Sequence, residues 1–324
     1  MWYPYRPFAG WSAGPKREDH KMTPLRVGVI GAGRVGAVLG SALRARGHEI
    51  VSVAGESDAS LRRAADLLPG VPVAKPTAVA RSCDVLLLTV PDDMLANVVS
   101  QLAASGALHV GQYVVHTSGS HGLQVLRPAT RVGARVVALH PALTFTGTAR
   151  DLDRLAECVF GVTAGPDERD WAQAVVAELG GEVMWVPEHL RSLYHAGLAH
   201  GANHLVTLVS QAMELLGASG ADDPAGVLRP LLVAALDNAL AEGDAALTGP
   251  IVRGDVKTVR AHLAEIAVAA PDTLPTYVAL ARATLDRVVT DGRVLPIRAA
   301  AIRRVLDDAV VDRPAASAPR TPGR

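Results

Sequence analysis

The stretch LRVGVIGAGRVGAVLGSALRARG, residues 25–47, joins an apolar run, a glycine-rich turn and a helical pattern. The run at 25–30 predicts a buried strand, and the residues at 35–45 predict a helix that follows directly. Three glycines within 31–36 allow a tight turn, close approach of the backbone to a ligand, and close packing of helix on strand. The N-terminus of that helix offers free N–H groups and a positive dipole. The stretch therefore predicts a βα unit that binds the diphosphate of a dinucleotide.

The residues predicted to contact the dinucleotide follow from this turn. They are Gly31, Ala32, Gly33, Arg34, Val35 and Gly36. Val90 and Pro91, at the end of a later strand, are further expected contacts. Turn formation by the proline, with Asp92 and Asp93 at the start of the next helix, explains the VPDD sequence equally well.

The composition is that of an ordinary globular protein long enough for two domains, with 324 residues, 49% hydrophobic and 20% charged. Basic and acidic residues are equal at 32 each, so no net field attracts nucleic acid or an anionic membrane, and we expect neither partner. Cys83 and Cys158 are the only cysteines, which provide neither a disulfide framework nor a cysteine-based metal cage. We expect no metal.

Both ends of the chain are predicted to be disordered tails. Residues 1–22 mix proline, glycine, aromatic and charged residues, without an apolar run long enough for a signal peptide or membrane span. Residues 313–324 are biased to proline, alanine, serine and arginine. A cytoplasmic location is the expectation that follows.

Further strand patterns follow the first one, separated by helical patterns. The run CDVLLLTVP is typical of a central parallel strand covered on both faces. The predicted strands lie at 48–55, 83–91, 112–119, 134–141, 157–165 and 182–187. We therefore predict an α/β Rossmann domain over residues 23–187, with a mostly parallel, doubly wound sheet.

No strand pattern returns after residue 188, and the rest of the chain is predicted to be an all-helical second domain over 188–312. Glycines and prolines separate its alanine- and leucine-rich helical segments. These segments lie at 188–217, 224–242, 255–270, 272–290 and 296–312.

The segment AGESDASLRR, residues 54–63, decides which dinucleotide fits. An acid after the second strand accepts hydrogen bonds from the adenosine ribose, whereas basic and hydroxyl groups accommodate an added phosphate. Glu56 favours NAD. The side chains that favour NADP are Ser57, Ser60, Arg62 and Arg63. Capping of the next helix by Ser57 or Asp58, with the arginines on its solvated face, is an equally good explanation. The prediction inclines to NADP, with Ser57 and Arg62 as contacts, and leaves NAD open.

Two residues at predicted strand ends are candidates for catalysis. Ser118, in HTSGS, is a candidate ligand for the nicotinamide or for a carboxylate, with a simple role in the turn as the alternative. His140 ends the following strand and reaches the same crevice, because the carboxyl ends of parallel strands meet there. Imidazole titrates near neutral pH, which suits the proton transfer that accompanies hydride transfer to a carbonyl.

The opening helix of the second domain supplies the first choice for the general acid/base, His195. Asn203 lies about two helical turns further on and faces roughly the same side, so one residue would move a proton while the other holds an oxygen. His200 and His204 have the i, i+4 spacing of a metal pair. They lack a third ligand, so we expect them to be solvated or hydrogen-bonded within the protein.

Arg253, in the run TGPIVRGD, is the predicted anchor for an anionic group of the substrate. Its planar guanidinium suits bidentate binding of a carboxylate. A surface or structural ion pair is the alternative role. Asp255, in the same run, has the position of an N-cap for the next helix.

The motifs GAGRVG, TVPDD, HTSG, ALHPALTF, YHAGLAHGANHLVTL and GPIVRGD together resemble one family over about residues 24–290. It is the Rossmann-like oxidoreductase family whose C-terminal helical part is domain of unknown function 2520. More distantly the layout resembles ketopantoate reductases, hydroxyisobutyrate dehydrogenases, pyrroline carboxylate reductases and prephenate dehydrogenases. The resemblance implies a helical C-terminal domain of the 6-phosphogluconate-dehydrogenase-like kind, which binds substrate and pairs two copies as a homodimer.

The distant relatives imply two alternative site assignments. In ketopantoate reductases and hydroxyisobutyrate dehydrogenases, a lysine on the first helix of the second domain protonates the carbonyl oxygen and asparagines follow it. This chain offers His195 and Asn203 there, without the lysine. In prephenate dehydrogenases, the histidine of a strand-end His-Pro and an upstream serine contact the substrate hydroxyl. His140 and Ser118 match that pattern.

The predicted function is that of an NAD(P)-dependent oxidoreductase acting on a small carbonyl or hydroxy acid, such as a 2-keto acid like ketopantoate. The expected partner is thus a small, anionic substrate. Two alternatives remain. One is a non-catalytic dinucleotide sensor, favoured by the missing lysine. The other is an imine reductase of the pyrroline carboxylate reductase kind.

Overall fold

The computed structural model describes residues 22–311, which form two compact units, 22–203 and 204–311. The tails predicted at 1–22 and 313–324 lie outside the described residues, apart from Met22. Each unit is considered in turn.

The first unit is built on a seven-stranded sheet in the order β2-β1-β3-β4-β5-β6-β7. The strands are β1 (Arg26–Ile30), β2 (Glu49–Ala54), β3 (Val85–Leu88), β4 (Tyr113–His116), β5 (Arg135–Pro141), β6 (Val159–Ala164) and β7 (Glu182–Trp185). Neighbouring strands are parallel except for β5 and β6, which are antiparallel. The mostly parallel sheet predicted from the sequence is confirmed.

Helices connect the strands and cover both faces of this sheet. They are α1 (Arg34–Ala45), α2 (Asp58–Leu67), α3 (Pro76–Arg81), α4 (Asp92–Ala104), α5 (Arg127–Arg131), α6 (Arg150–Leu155), α7 (Arg169–Glu178) and α8 (Arg191–Leu198). One apolar core contains Val29, Val38 and Phe160, and another contains Leu86 and Leu95. Cores on both faces explain why β3 is apolar throughout and why β1 is uncharged and buried after Arg26.

The second unit contains only helices among its described residues. They are α9 (His204–Ala218), α10 (Pro224–Glu242), α11 (Val256–Ala269), α12 (Leu274–Thr290) and α13 (Pro296–Val311). Its core is formed by buried side chains from α11, α12 and α13, among them Leu263, Leu285 and Ile302. Helix α10 contributes one buried residue, Leu228, and its other large apolar residues are mostly exposed.

The first compact unit extends beyond the boundary predicted at residue 187. Helix α8 and the π-helical turn Ala199–Asn203 belong to the sheet unit. The reason is Arg191, whose side chain is buried and donates hydrogen bonds to the carbonyl oxygens of Gly161 and Ser118. Helical periodicity predicted that helices follow residue 188. It does not indicate whether the first of these helices packs on the sheet unit or on the helical unit.

Among residues 22–311, no helix has both the length and the apolar character needed to cross a membrane.

Candidate functional site

The glycine turn after β1 is held against the end of β3. Gly31 has a φ of 100°, and a Cβ there would lie 2.7 Å from the carbonyl carbon of Thr89. A Cβ on Gly36 would collide with the Thr89 hydroxyl, which donates a hydrogen bond to the Gly31 carbonyl oxygen. Both glycines are therefore required by the close packing of turn, helix and strand.

Gly33 differs from these two glycines because it faces open space. The nearest atom to a Cβ placed on Gly33 is the Gly31 carbonyl oxygen, at 3.9 Å. Gly33 is also the N-cap of α1, and neither a side-chain cap nor an acidic residue in the first turn satisfies the helix N-terminus. An open cradle beside uncapped N–H groups fits a diphosphate.

The end of β2 lies beside this turn, since the Ala54 carbonyl oxygen accepts hydrogen bonds from the backbone N–H groups of Gly31 and Ala32. Ser57 caps α2 by accepting a hydrogen bond from the Ser60 N–H at 3.2 Å. The capping role considered for Ser57 is thus present. Glu56 is exposed, as expected of a residue at the rim of a ribose site.

Of the two arginines on α2, Arg63 turns towards the glycine turn and Arg62 is exposed. A Cβ on Gly147 would lie 2.8 Å from Nε of Arg63 and 3.0 Å from Cγ of Arg34. The side chains of Arg34 and Arg63 therefore both lie against Gly147. Within residues 22–311, neither lies within 4.0 Å of a carboxylate as an ion pair. Arg63 NH1 donates a hydrogen bond to the Ala59 carbonyl oxygen at 3.3 Å. Arginine side chains without a carboxylate partner favour an anion.

The loop that carries Gly147 is fixed by the buried carboxylate of Asp151. It accepts hydrogen bonds from the N–H groups of Thr146 and Gly147, at 2.8 and 2.7 Å, and from the Thr146 hydroxyl at 3.0 Å. Sequence reasoning missed this loop. Its threonines and glycine form no sequence pattern that would place the loop beside the glycine turn.

The turn after β4 is shaped by the buried side chain of His116. Its Nδ1 accepts a hydrogen bond from the Ser118 N–H at 3.2 Å, so Nε2 carries the proton and donates to the Gly122 carbonyl oxygen at 2.9 Å. Burial lowers the pKa of His116 to about 4, which keeps the ring neutral. Ser118 is itself buried, and its hydroxyl accepts a hydrogen bond from the His121 N–H. The turn role of Ser118 is therefore present in the structure.

Asp92 links the start of α4 to the same turn. Its carboxylate accepts a hydrogen bond from the Ser120 hydroxyl at 2.7 Å. Burial opposes ionisation, but hydrogen bonds from Ser120 and Ser118 lower the pKa of Asp92 below its usual value. Pro91 is the exposed N-cap residue of α4, and Val90 is half-buried beside it.

His140 and His195 both lie against Gly119, on the side where a Cβ would project. A Cβ on Gly119 would lie 2.5 Å from Cδ2 of His195 and 3.0 Å from Nε2 of His140. The two imidazole centroids are 6.0 Å apart and the rings are nearly perpendicular. The structure thus brings together three of the predicted site residues, His140, His195 and Ser118, within the first unit.

The neighbours of His140 make it a neutral imidazole. Its Nδ1 lies 3.0 Å from the hydroxyl of Tyr194 on α8. Burial and the charges of Arg191 and His195 lower the pKa of His140 to about 4, against the opposing effect of Asp92. At neutral pH the ring therefore has one N–H donor and one acceptor nitrogen.

Arg191 is the buried cation of this site, at 1% exposure. Its NH1 donates to the Gly161 carbonyl oxygen at 3.0 Å and to the Thr163 hydroxyl at 3.3 Å, and its NH2 donates to the Ser118 carbonyl oxygen. Its Nε has no hydrogen-bond partner among residues 22–311. Tyr194 and Arg191 were both missed from the sequence, although they lie on the same helix as His195.

Two further predicted residues, Asn203 and Arg253, are exposed to solvent. Asn203 is exposed, in the π-helical turn that ends the first unit. Arg253 is exposed in the second unit, where its carbonyl oxygen accepts a hydrogen bond from Arg298. Asp255 caps α11 by accepting from the Thr258 N–H at 3.1 Å. Within the described range, no group of three or more His, Cys, Asp or Glu side chains is placed to hold a metal ion.

Comparison with known protein families matches two models to this chain. Residues 12–141 match a Rossmann-like domain, and residues 158–284 match domain of unknown function 2520. The second match begins at β6, so it includes the last two strands and α8 as well as helices of the second unit. The predicted resemblance to a Rossmann-like family with this C-terminal domain is confirmed. A search of curated proteins finds no match to the chain.

Solved structures share the fold at low sequence identity. A provisionally assigned NADP oxidoreductase from Bacteroides fragilis is 22% identical, with a TM-score of 0.70 over 81% of this chain and 98% of its own. Protein TM1727 from Thermotoga maritima is 19% identical, with a TM-score of 0.59 over 82% and 99%. The 1-pyrroline-5-carboxylate reductase from Streptococcus pyogenes is 16% identical, with a TM-score of 0.54 over 88% and 98%. These similarities confirm the fold class.

Proposed function

We propose that this chain, in which a Rossmann-like domain is joined to a domain of unknown function 2520, is an NAD(P)-dependent oxidoreductase. Its substrate is a small carbonyl or hydroxy acid. The proposal rests on one observation: a cradle for a diphosphate and a histidine suited to proton transfer follow strands of the same sheet. The open cradle at Gly33 lies after β1, and the imidazole of His140 lies at the end of β5. Cofactor and substrate sites of doubly wound proteins lie at this carboxyl edge.

The reaction requires a proton donor beside the substrate oxygen, and the cluster around Gly119 provides it. When bound, a reduced nicotinamide supplies a hydride to the carbonyl carbon. His140 and His195 are the two imidazoles available to give the oxygen its proton. Ser118 and Asn203 are the proposed groups that orient this oxygen.

We propose that the preferred dinucleotide is NADP. Arg34 and Arg63 meet at Gly147 beside the turn that is hydrogen-bonded to the end of β2, where an added ribose phosphate lies in NADP-binding proteins. The sequence alone favours Arg62 as the contact for this phosphate, whereas the geometry favours its neighbour Arg63. The Bacteroides fragilis structure, provisionally assigned as an NADP oxidoreductase, gives independent support.

Imine reduction is the second candidate activity. It is supported by the shared fold of pyrroline carboxylate reductases from Streptococcus pyogenes and Coxiella burnetii, which have TM-scores of 0.54 and 0.51. A cyclic imine needs a hydride at carbon and little help with a proton, because its nitrogen is basic. The two activities therefore differ in their dependence on His140 and His195.

The experiment is a cofactor titration followed by a substrate panel. The fluorescence of NADH and NADPH is followed as the pure protein is added, and turnover is then measured on 2-keto acids and cyclic imino acids. Binding of NADPH with turnover of a 2-keto acid supports the main proposal, and turnover of imines alone supports the second candidate. Cofactor binding without turnover on either class would favour a dinucleotide sensor instead. If neither cofactor binds, the proposal is wrong.

We also propose that the protein is a homodimer that pairs through α10. This helix is rich in apolar residues, and those on its surface include Val227, Leu231, Val233 and Leu236, each at least 50% exposed. A large exposed apolar surface on a helix is typical of an association site.

A further inference from the structure

We infer that His140 delivers its Nε2 proton to the substrate while Tyr194 gives a proton to Nδ1 of the same ring, so that the two side chains form a relay. The inference rests on the proposed function, because it assigns roles within that reaction. It adds Tyr194 to the site and decides between the two imidazoles.

The geometry of the His140 ring gives its two nitrogens different surroundings. Nδ1 lies 3.0 Å from the Tyr194 hydroxyl, and Nε2 lies on the opposite edge, towards Gly119. If Tyr194 donates to Nδ1, the neutral ring carries its own proton on Nε2. The ring then has a donor facing the turn of Ser118 and Gly119, and an acceptor facing Tyr194.

The charged groups around His140 explain why Nδ1 must receive a proton when Nε2 loses one. Arg191 and His195 disfavour an imidazolium at His140, while Asp92 favours it only in part. A histidine that is neutral at neutral pH can give up one proton only by becoming an imidazolate, unless another group replaces that proton at the same time. Tyr194 is the group hydrogen-bonded to Nδ1.

Arg191 offsets the negative charge that the relay leaves on Tyr194. Its guanidinium carbon lies 5.7 Å from the centroid of the tyrosine ring. Its hydrogen bonds go to neutral oxygens, and no carboxylate in residues 22–311 lies within 4.0 Å of it as an ion pair. Glu188 and Asp92 act on it only from a greater distance. Burial raises the pKa of Tyr194 while Arg191 lowers it, so the phenol keeps its proton at neutral pH, as a donor must.

The step is balanced as follows. A bound reduced nicotinamide would supply the hydride, its C–H bond breaking and the nicotinamide being oxidised as a C–H bond forms at the carbonyl carbon. The electron pair of the C=O π bond moves to the oxygen. The oxygen takes the proton from Nε2 of His140, and Nδ1 of the same ring takes the proton of the Tyr194 hydroxyl. After the alcohol leaves, Nδ1 of His140 returns its proton to the tyrosinate and solvent gives a proton to Nε2, which restores both groups. Oxidation of the alcohol follows the same path in reverse.

The kinetic test compares Tyr194→Phe with a matched control. Phenylalanine keeps the ring that packs on Gly161 and removes only the hydroxyl. The control is Tyr277→Phe in the second unit, where the Tyr277 hydroxyl lies 2.8 Å from Nδ1 of His262 in a similar edge-on pair. We expect Tyr194→Phe to lower kcat about 100-fold with little change in KM, and Tyr277→Phe to leave both unchanged. A kcat of Tyr194→Phe within about twofold of the unmodified protein would overturn the inference.

The pH profile separates the relay from an imidazolium donor. Because the relay needs neutral His140 and protonated Tyr194, kcat stays level from about pH 5.5 to about pH 8.5. A kcat that falls as the pH rises through neutrality would show an imidazolium acid and would overturn the relay.

A third measurement needs neither cofactor nor turnover. The ¹⁵N shifts of the His140 ring in the free protein report which nitrogen is protonated, and we expect the proton on Nε2 at pH 7 and a mixture of tautomers in Tyr194→Phe. A proton on Nδ1 in the unmodified protein would overturn the relay. Failure to bind any dinucleotide would instead defeat the proposed function, and this measurement would still decide the relation between the two side chains.

Discussion

Arg63 of α2 lies against Gly147, so closely that a Cβ on the glycine would be 2.8 Å from Nε of the arginine. Arg34 lies against the same glycine, and the buried Asp151 fixes the loop that carries it. We expect Arg63→Ala to weaken NADPH binding at least tenfold and to leave NADH binding within about twofold, because charge-assisted hydrogen bonds to phosphate are strong. Nicotinamide fluorescence titrations with both cofactors give the dissociation constants.

The matched control for this prediction is Arg62→Ala. Arg62 adjoins Arg63 on the same helix but is exposed, so its removal changes the net charge equally. A general electrostatic effect would weaken NADPH binding to the same degree in both variants. Equal losses, or a loss confined to Arg62→Ala, would contradict the assignment of the phosphate site to Arg63.

Gly33→Asp is expected to abolish binding of both cofactors while leaving the fold intact. Only the Gly31 carbonyl oxygen lies within 4 Å of a Cβ at this position, so the protein has room for the side chain. The carboxylate would occupy the space of the diphosphate and repel it. Circular dichroism and the fluorescence titration together test this, with Gly33→Ala as the control that adds the Cβ without a charge. Undiminished NADPH binding by Gly33→Asp would show that the diphosphate lies elsewhere.

The mostly parallel, doubly wound sheet was predictable because local patterns and general rules both pointed to it. The glycine turn at 31–36 identified the first βα unit, and the continuous apolar run of β3 identified a strand covered on both faces. His140 and Ser118 were predictable as neighbours, since β4 and β5 are parallel strands that end at one edge.

Side-chain direction was the part of the site that the sequence did not reveal. Arg62 and Arg63 have the same chemistry, and the rotation of α2 against the sheet alone separates them. Tyr194 lies next to His195 on α8, but no periodic pattern indicates that its hydroxyl meets His140 on β5. Arg191 is charged and completely buried, which is contrary to the general tendency of arginine and therefore not expected from its sequence neighbourhood.

Leu231→Glu on α10 is expected to convert a homodimer into a monomer. Leu231 is 65% exposed on an apolar helix, and a carboxylate there would be buried without a partner in the dimer. Analytical ultracentrifugation measures the mass in solution. Val268→Glu on α11 is the control, because Val268 is 84% exposed outside the α10 surface. A monomeric unmodified protein, or a dimeric Leu231→Glu variant, would contradict the proposed interface.

The stability of the protein is expected to fall as the pH is lowered from about 6.5 to about 4, and His116 is one source of this fall. Burial lowers the pKa of His116 to about 4 in the folded protein, below the value of about 6.5 for an exposed imidazole. Between these values the unfolded chain binds the proton and the folded chain does not, so lower pH favours unfolding, by at most about 1.4 kcal/mol per pH unit for this residue.

Urea unfolding at a series of pH values measures the slope of the free energy of unfolding against pH. In His116→Asn the slope should be smaller by that amount, since asparagine can still accept from Ser118 or donate to Gly122 but does not titrate. Equal slopes for the two proteins would mean that His116 gains or loses no proton on unfolding, contrary to its burial.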